Sequence, residues 1–233
     1  MKLLKNLSKN MKNQNFLKVL IILQLICIPV FCKTISVLEI DTGVDISHPE
    51  IRSHINIGNW KNPNYEDFHG HGTHIAGIIL KDVCDEVELT SCKYYDLSNK
   101  ANSPLDCFRE ALKHHYDIVN FSSGGPGFDQ KEYDILKNIK STIVVAAGND
   151  SHDLSVWSYY PASYNLKNII PVGNLEGKVI NQSSNYGLKN MVWEQGTRIY
   201  SFFPGGRYGI MTGTSQAAAL HTNKLLKELC EKN

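Results

Sequence analysis

Three histidines lie within six positions in the segment HGHGTH, at residues 69–74. Histidine side chains gathered this closely can bind a metal ion, as they do in hydrolytic zinc sites. Alternatively, one histidine can take a proton from a nucleophile when an acid orients its ring. The second arrangement needs only one of the three histidines, but it requires an acid and a nucleophile from distant parts of the chain.

The metal alternative fits this segment poorly. Its H-x-H-x-x-H spacing offers three imidazoles, but the binuclear zinc hydrolase pattern has an aspartate directly before the last histidine, where this chain has Thr73. Further ligands would have to come from later histidines in segments that we predict as helix or loop surface, namely His114, His115, His152 and His221. We therefore predict no metal site here and expect no cofactor.

Polar residues that follow buried strands are the candidates for the proton-transfer alternative. Ligands of open α/β sheets meet the carboxyl ends of the strands. Three such places are Asp41 after TISVLEI (34–40), SSGG (122–125) after DIVNF (117–121), and Asn149 after STIVVAA (141–147). A fourth candidate, Ser215, lies where a glycine-threonine turn enters the last predicted helix.

These residue types match the requirements of acyl transfer, which needs a nucleophile, a base, an orienting acid and oxyanion donors. Asp41 ends a buried strand, where a carboxylate is costly unless it has a partner. A histidine at the start of a helix can supply that partner. Ser215 at a helix N-terminus benefits from the positive end of the helix dipole, and its N–H could face an oxyanion. The amide of Asn149 could point into the same cleft.

The elements that must position these residues alternate between strands and helices. Besides the three strands above, we predict strands at 88–96 and 168–173 and helices at 72–80, 105–116, 129–140 and 215–230. Such alternation predicts an α/β fold with a mostly parallel central sheet. The continuous apolar character of DIVNF and STIVVAA indicates strands with helices on both faces. Residues 174–212 are richer in Gly, Asn and Ser and favour hairpins and loops at the sheet edge.

Five segments of the chain resemble the signature blocks of the subtilisin-like serine peptidases, in the order of that family. They are DTGVDISHPEI (41–51), HGHGTHIAG (69–77), FSSGG (121–125), VVAAGND (144–150) and GTSQAAA (213–219). A weaker match, YPASYNLKNIIPVG (160–173), resembles the segment after the asparagine block. The resemblance extends over residues 35–229 and implies the three-layer subtilisin-like architecture.

The resemblance implies a role for each matching residue. Asp41 would be the orienting acid, His71 the base and Ser215 the nucleophile of a serine endopeptidase. The side chain of Asn149 and the Ser215 N–H would form the oxyanion hole. The backbone of Ser122, Ser123 and Gly124 would pair with an extended peptide or protein substrate. A catalytically idle peptide-binding relative is the alternative, and its mark would be a broken triad.

Other polar residues near these blocks have structural roles by the same resemblance. His74 would be a buried structural histidine and His69 a rim residue, while Asp45 and Asp67 are interpreted as loop hydrogen-bonding groups. Asp150 matches a position near the primary pocket, where an acidic group would favour a basic substrate residue. Several calcium loops of the family are too short here to assign, so a structural calcium ion is left open without a site.

The composition is that of one globular domain, which we place at residues 33–233. Hydrophobic residues make up 42% of the chain and charged residues 20%, with a formal net charge of +1. So small a charge is no footprint for nucleic acid, and we expect no such partner. We expect a monomer.

Residues 1–32 have the pattern of a secretory signal. An apolar run at 19–31, which is short for a membrane span, follows Lys2, Lys5, Lys9 and Lys12. Val30 and Cys32 lie at −3 and −1 of a possible cleavage point. Cleavage predicts an exported protein, secreted or periplasmic. Two alternatives stay open, an uncleaved membrane anchor with the domain outside the cytoplasm and a buried N-terminal helix.

Cleavage after Cys32 leaves four cysteines, namely Cys84, Cys92, Cys107 and Cys230. In an exported protein they can form two disulfides in any of three connectivities. No C-x-x-C spacing occurs, which disfavours a zinc ribbon, so we interpret these cysteines as structural.

Overall fold

The computed structural model describes residues 33–55, 66–95 and 103–233. The predicted secretory signal at residues 1–32 lies outside them. Within the described ranges no helix is both long enough and apolar enough to cross a membrane. Residues 34–233 form one compact unit.

A mostly parallel sheet, with seven strands among the described residues, forms the centre of this unit. The strands are β1 (Ile35–Asp41), β2 (Val87–Lys93), β3 (Ile118–Phe121), β4 (Thr142–Ala146), β5 (Ile169–Glu176), β6 (Val179–Ile180) and β7 (Val192–Gln195). Parallel neighbours run in the order β2-β1-β3-β4-β5-β7, while the short β6 pairs antiparallel with β5. A separate antiparallel hairpin consists of β8 (Ile199–Phe203) and β9 (Arg207–Met211).

Five α-helices among the described residues accompany the sheet, together with one 3-10 helix (Ala162–Tyr164). The α-helices are α1 (Pro49–His54), α2 (His71–Ile79), α3 (Pro104–Lys113), α4 (Gln130–Leu136) and α5 (Thr214–Lys232). Two of them have side-chain caps at the N-terminus. The Ser103 hydroxyl accepts from Leu105 N at the start of α3, and Asp129 accepts from Lys131 N at the start of α4. These bonds satisfy N–H groups that have no partner within the helix.

Helices cover both faces of the sheet. Val37 of β1 packs in one apolar cluster with Ile75 of α2 and Ala217 of α5. Leu38, the next residue of β1, packs in a second cluster with Phe108 of α3 and Leu136 of α4. Successive side chains of a strand point to opposite faces, so a strand between two helical layers is apolar throughout. The predicted three-layer α/β architecture is confirmed.

Two disulfides connect elements at the periphery of the sheet. Cys84 pairs with Cys230 near the end of α5, and Cys92 at the end of β2 pairs with Cys107 of α3. This is one of the three connectivities that the sequence left open. Both pairs join neighbouring elements, in agreement with a structural role.

Candidate active site

The central interaction of the site joins Asp41, the last residue of β1, to His71, the first residue of α2. His71 Nδ1 lies 2.7 Å from Asp41 Oδ1, and the Thr42 N–H donates to the same oxygen at 2.8 Å. The Asp41 side chain is only 2% exposed and that of His71 is 18% exposed. Because an ionised carboxylate can only accept hydrogen bonds, Nδ1 carries the hydrogen and Nε2 keeps a lone pair. Nε2 is therefore the basic atom of the site.

Glycines allow α2 to approach the end of β1. A Cβ atom on Gly72 would lie 2.0 Å from the carbonyl oxygen of Gly43, so a side chain there would push the helix away. The Gly72 N–H instead donates to Thr42 Oγ1 at 2.8 Å. Gly70, which precedes the helix, has a φ of 94°, in the left-handed region that glycine adopts without a steric penalty.

Asp67 holds the loop that leads into α2. Its Oδ1 accepts from Thr42 Oγ1, His69 N and Gly70 N, and its Oδ2 accepts from the N–H and the hydroxyl of Thr73. Gly70 has no side chain to cap the helix, so Asp67 accepts from the Gly70 and Thr73 N–H groups in its place, and Thr42 accepts from that of Gly72. Its predicted role as a loop hydrogen-bonding group agrees with these contacts.

Opposing effects act on the protonation of His71. Burial by itself lowers its pKa, but the charge and the hydrogen bond of Asp41, together with the charge of Asp67, raise the pKa above its usual value of 6.5 on balance. A base with a raised pKa accepts a proton more readily, but it is already protonated over a wider acidic range.

The other two histidines of the segment have separate surroundings. His74 is fully buried, and its Nε2 lies 3.1 Å from the carbonyl oxygen of Ile199. His69 is exposed, and its ring lies edge-on to Tyr95 at 5.8 Å. The His69 ring also lies edge-on to the His71 ring at 6.3 Å, but His71 and His74 bond to different partners. The described residues contain no group of three or more metal-ligating side chains. The interpretation of His74 as a buried residue and of His69 as a rim residue agrees with this geometry.

The register of the sheet brings Ser122 beside Asp41. Ile40 of β1 is opposite Phe121 of β3, so the next residues along these parallel strands, Asp41 and Ser122, leave the sheet as neighbours. Adjacent strands are about 4.8 Å apart. The polar ends of two strands therefore meet at one edge.

Ser215 lies against this edge, but its hydroxyl is not bonded to His71. Ser215 is the second residue of α5, and its Oγ donates to the Ser122 carbonyl at 3.0 Å. The Ser122 hydroxyl in turn donates to the Ser215 carbonyl at 3.2 Å. The structure therefore joins Asp41 to His71 and Ser215 to Ser122. A hydrogen bond between Ser215 and His71 would require the serine side chain to rotate about χ1.

Two unused donors lie at the start of α5. The Oδ1 atom of Asn149 accepts from Thr214 N at 2.9 Å, which assigns the oxygen of this amide because a backbone N–H can only donate. The NH₂ group of Asn149 is then left without a partner among the described residues, as is the Ser215 N–H. The first N–H groups of a helix have no intrahelical acceptor. Both groups can thus donate to an external oxygen.

A free backbone edge follows β3. Within the described part of the chain, Ser123 and Gly124 form no backbone hydrogen bonds. Gly125, the next residue, exchanges two backbone hydrogen bonds with Tyr160, at 2.8 and 2.7 Å. The pairing with Tyr160 fixes one end of the segment, while the two preceding residues keep N–H and C=O groups available to an added strand.

Sequence reasoning missed Glu39, two residues before Asp41 on the same face of β1. It is fully buried, and among the described residues neither of its carboxyl oxygens has a hydrogen-bond partner of good geometry, although the Ser91 side chain and the Ala76 backbone lie close enough to act weakly on it. Asp67 accepts five hydrogen bonds and Asp41 accepts two, so of these three carboxyl groups Glu39 has the least stabilised ionised form. Burial, followed by the charges of Asp41 and Asp67, raises the pKa of Glu39 well above its usual value.

Asn185 was also missed, because it lies in a segment that we predicted only as hairpins and loops. It is fully buried, its Oδ1 accepts from Asp150 N and His152 N, and its Nδ2 donates to the Ala147 carbonyl. These three bonds hold the loop that carries Asn149. No local pattern distinguishes Asn185 from the other asparagines of its segment.

The family model described as the subtilase family matches residues 33–227, and the chain belongs to that family. Two solved structures, of a lanthipeptide protease and of a cold-adapted subtilisin-like serine proteinase, share the fold. The lanthipeptide protease has a TM-score of 0.72 and 20% identity, and the match covers 85% of this chain and 73% of that one. The cold-adapted proteinase has a TM-score of 0.72 and 22% identity, and the match covers 86% of this chain and 77% of that one.

Curated relatives are subtilisin-like proteases. The major intracellular serine protease of Bacillus subtilis (strain 168) is 31% identical over 210 residues, which cover 80% of this chain and 65% of that protein. Subtilisin E of the same strain is 31% identical over 78% of this chain and 52% of its own length. Subtilisin-like protease 2 of Plasmodium falciparum (isolate 3D7) is 28% identical over 80% of this chain and 16% of its own length. The chain thus spans only part of each of these relatives.

Replacing Glu39 with glutamine tests its protonation. The usual pKa of a glutamate is 4.5, so above pH 4.5 the unfolded chain releases the Glu39 proton while the folded chain retains it. The free energy of unfolding of the wild type therefore falls as pH rises. Glu39→Gln cannot ionise and escapes this decrease. We expect the free energy of unfolding of the variant, relative to the wild type, to increase between about pH 4 and about pH 8 in urea titrations.

Glu228→Gln provides the matched control, because Glu228 is exposed on α5. We expect a difference from the wild type that stays nearly constant over the same pH range. A constant difference for Glu39→Gln as well would mean that Glu39 is ionised in the folded protein.

Proposed function

We propose that residues 33–233 form a serine endopeptidase domain in which Asp41 orients the ring, His71 is the base and Ser215 is the nucleophile. The observation that carries this proposal is the buried 2.7 Å hydrogen bond between Asp41 and His71. It leaves Nε2 as a proton acceptor at the edge of the sheet that Ser215 also borders. Membership of the subtilase family supports the same function, since its relatives above are named as proteases.

The reaction begins when the Ser215 hydroxyl turns from the Ser122 carbonyl toward His71. Its proton passes to His71 Nε2 while Oγ forms a bond to the substrate carbonyl carbon. The imidazolium that results is stabilised by the Asp41 carboxylate on the opposite side of the ring. The position of Ser215 near the positive end of α5 favours the developing negative charge.

The carbonyl oxygen becomes an oxyanion in this step. The NH₂ group of Asn149 and the Ser215 N–H are donors without partners among the described residues, and we assign the oxyanion to them. Collapse of the tetrahedral intermediate breaks the C–N bond, and Nε2 returns its proton to the departing amine. Water then repeats the sequence on the acyl-enzyme and releases Ser215. No cofactor enters these steps.

A peptide or protein substrate would bind as an added strand. The free backbone groups of Ser123 and Gly124, together with the adjacent Ser122, would pair with an extended chain through main-chain hydrogen bonds. This mode of binding fixes the direction of the substrate and leaves its side chains to determine the preferred sequence.

We further propose that the domain is exported. The charged and apolar pattern of residues 1–32 favours a secretory signal. The two disulfides support an oxidising compartment, because glutathione and thioredoxin keep most cytosolic thiols reduced. If the segment stays uncleaved, the protein would instead be membrane-anchored with this domain outside the cytoplasm.

Labelling with a fluorophosphonate tests the nucleophile. Because such reagents react with an activated serine, we expect one covalent adduct on Ser215, located by peptide mass mapping, and none in Ser215→Ala. Ser158→Ala is the matched control, since Ser158 is exposed and lies outside the proposed machinery. It should label as the wild type does.

A folded wild-type protein that does not label would favour the idle peptide-binding alternative. Retention of the Ser215–Ser122 hydrogen bond in place of one to His71 would then explain the inactivity. Loss of hydrolysis with a chelator, without any effect of the serine reagent, would favour a metallohydrolase.

The pH dependence of kcat/KM tests the base. His71 must be neutral to accept a proton, so activity should rise with pH through the folded pKa of His71, above its usual value of 6.5. Asp41→Asn removes the charge and the carboxylate hydrogen bond of Asp41, the two largest effects that raise this pKa, and leaves only the charge of Asp67. We expect a rate loss of about 10⁴-fold and a midpoint at lower pH for the residual activity.

Asp134→Asn removes an exposed carboxylate from α4 and should leave the midpoint unchanged. An Asp41→Asn variant whose midpoint equals that of the wild type would show that another group controls the pH dependence.

A further inference from the structure

The proposed substrate strand passes a slot between two backbone segments. Residues 122–125 continue β3 and residues 147–150 continue β4, and these strands are neighbours in the sheet. In the proposed binding mode, a substrate residue whose carbonyl lies between Ser215 N and the Asn149 amide would have Ser123 and Gly124 on one side and Gly148 on the other. Its side chain would then face the space between the two segments.

The ring of Tyr159 lies in this space. A Cβ atom on Gly124 would be 2.4 Å from Tyr159 Cε1, and a Cβ atom on Gly148 would be 3.0 Å from Cε2 and Cζ. Since Cε1 and Cε2 are on opposite edges of the ring, the ring extends from one segment to the other. Both positions are glycine, so the phenol contacts the backbone of each segment directly.

The neighbouring backbone holds Tyr159 in place. Its N–H donates to Ser163 Oγ at 3.0 Å, and its carbonyl accepts from Ser163 N at 2.8 Å. Tyr160, the next residue, exchanges two backbone hydrogen bonds with Gly125. The ring can therefore leave the slot only by rotating about its own side-chain torsions.

The phenol is neutral in this position. Burial, and then the charge of Asp150, raise the pKa of Tyr159 to about 12. An aromatic ring between two backbone segments leaves no room for a second ring or a long chain unless it moves. The family resemblance of the sequence predicts a different preference, in which Asp150 attracts a basic side chain.

We propose that Tyr159 fills the side-chain slot next to the nucleophile, so that the peptidase cleaves after residues with small side chains, such as Gly, Ala and Ser. The proposal rests on the proposed serine peptidase function and specifies its substrate class. Large aromatic and long basic side chains are excluded because they would have to displace the ring.

Matched peptides that differ only in the residue before the cleaved bond test this proposal. We expect kcat/KM of the wild type to be at least about tenfold higher for Ala than for Phe or Arg. Tyr159→Gly opens the slot and should raise kcat/KM for the Phe peptide at least about tenfold, with a much smaller change for Ala. Tyr159→Phe keeps the ring and should retain the wild-type preference.

Trp157→Ala is the control, since Trp157 is a neighbouring aromatic residue that is 63% exposed. It should leave the preference unchanged. Equal wild-type rates for Ala, Phe and Arg peptides would overturn the proposal even if Tyr159→Gly fails to fold, and so would a folded Tyr159→Gly variant that keeps the wild-type order.

Fluorophosphonate labelling of the same samples separates the two possible failures. Labelling of Ser215 combined with the wrong peptide preference rejects only the role of Tyr159. Absence of labelling, together with no cleavage of any peptide, rejects the serine peptidase function itself.

Discussion

The buried hydrogen bond between Asp41 and His71 is the interaction on which the rest of this structure depends. A carboxylate that is 2% exposed at the end of a strand is costly without a partner. The imidazole supplies that partner only because α2 begins directly above the end of β1. Gly43 and Gly72 permit the close approach, and Asp67 caps the helix that presents the ring. The need of the buried Asp41 carboxylate for a partner thus accounts for the local backbone of three segments: the end of β1, the loop at Asp67 and the start of α2.

The parallel sheet extends this arrangement to distant parts of the chain. The register of β1 and β3 puts Ser122 beside Asp41, and reciprocal hydrogen bonds attach Ser122 to Ser215 at the start of α5. The contact between Thr214 N and Asn149 then connects α5 to the loop after β4. Three neighbouring strand ends and two helix N-termini converge at one edge, as expected for a ligand site of an open α/β sheet.

Much of this arrangement could be predicted because the sequence shows where buried strands end. Apolar runs that stop at Asp41, at Ser122 and before Asn149 indicate both the sheet and its functional edge. The family blocks add the order of the residues along the chain. What the sequence could not show is the rotamer of Ser215, whose hydroxyl bonds to Ser122, because no local pattern specifies χ1.

The other residues that sequence reasoning did not identify have roles that depend on contacts between distant segments. Glu39 lies within an apolar run of strand length, and only the packing of α2 over β1 shows that its carboxyl group is sealed from water. Asn185 and Tyr159 lie in loops, where periodicity gives no information. Asn185 is important because it holds the loop of Asn149, and Tyr159 is important because its ring lies between Gly124 and Gly148 on neighbouring segments. Such contacts follow from tertiary structure rather than from local residue patterns.

The most direct measurement of the central interaction is the tautomer of His71 in the full chain. Two-bond ¹H–¹⁵N correlation spectra of protein with labelled histidine distinguish hydrogen on Nδ1 from hydrogen on Nε2, and a His71→Gln sample assigns the signal among the nine histidines. Above the pKa of His71, the hydrogen bond to Asp41 predicts hydrogen on Nδ1 and a bare Nε2. A neutral ring with its hydrogen on Nε2 would contradict the account, because that nitrogen could not then accept a proton from Ser215.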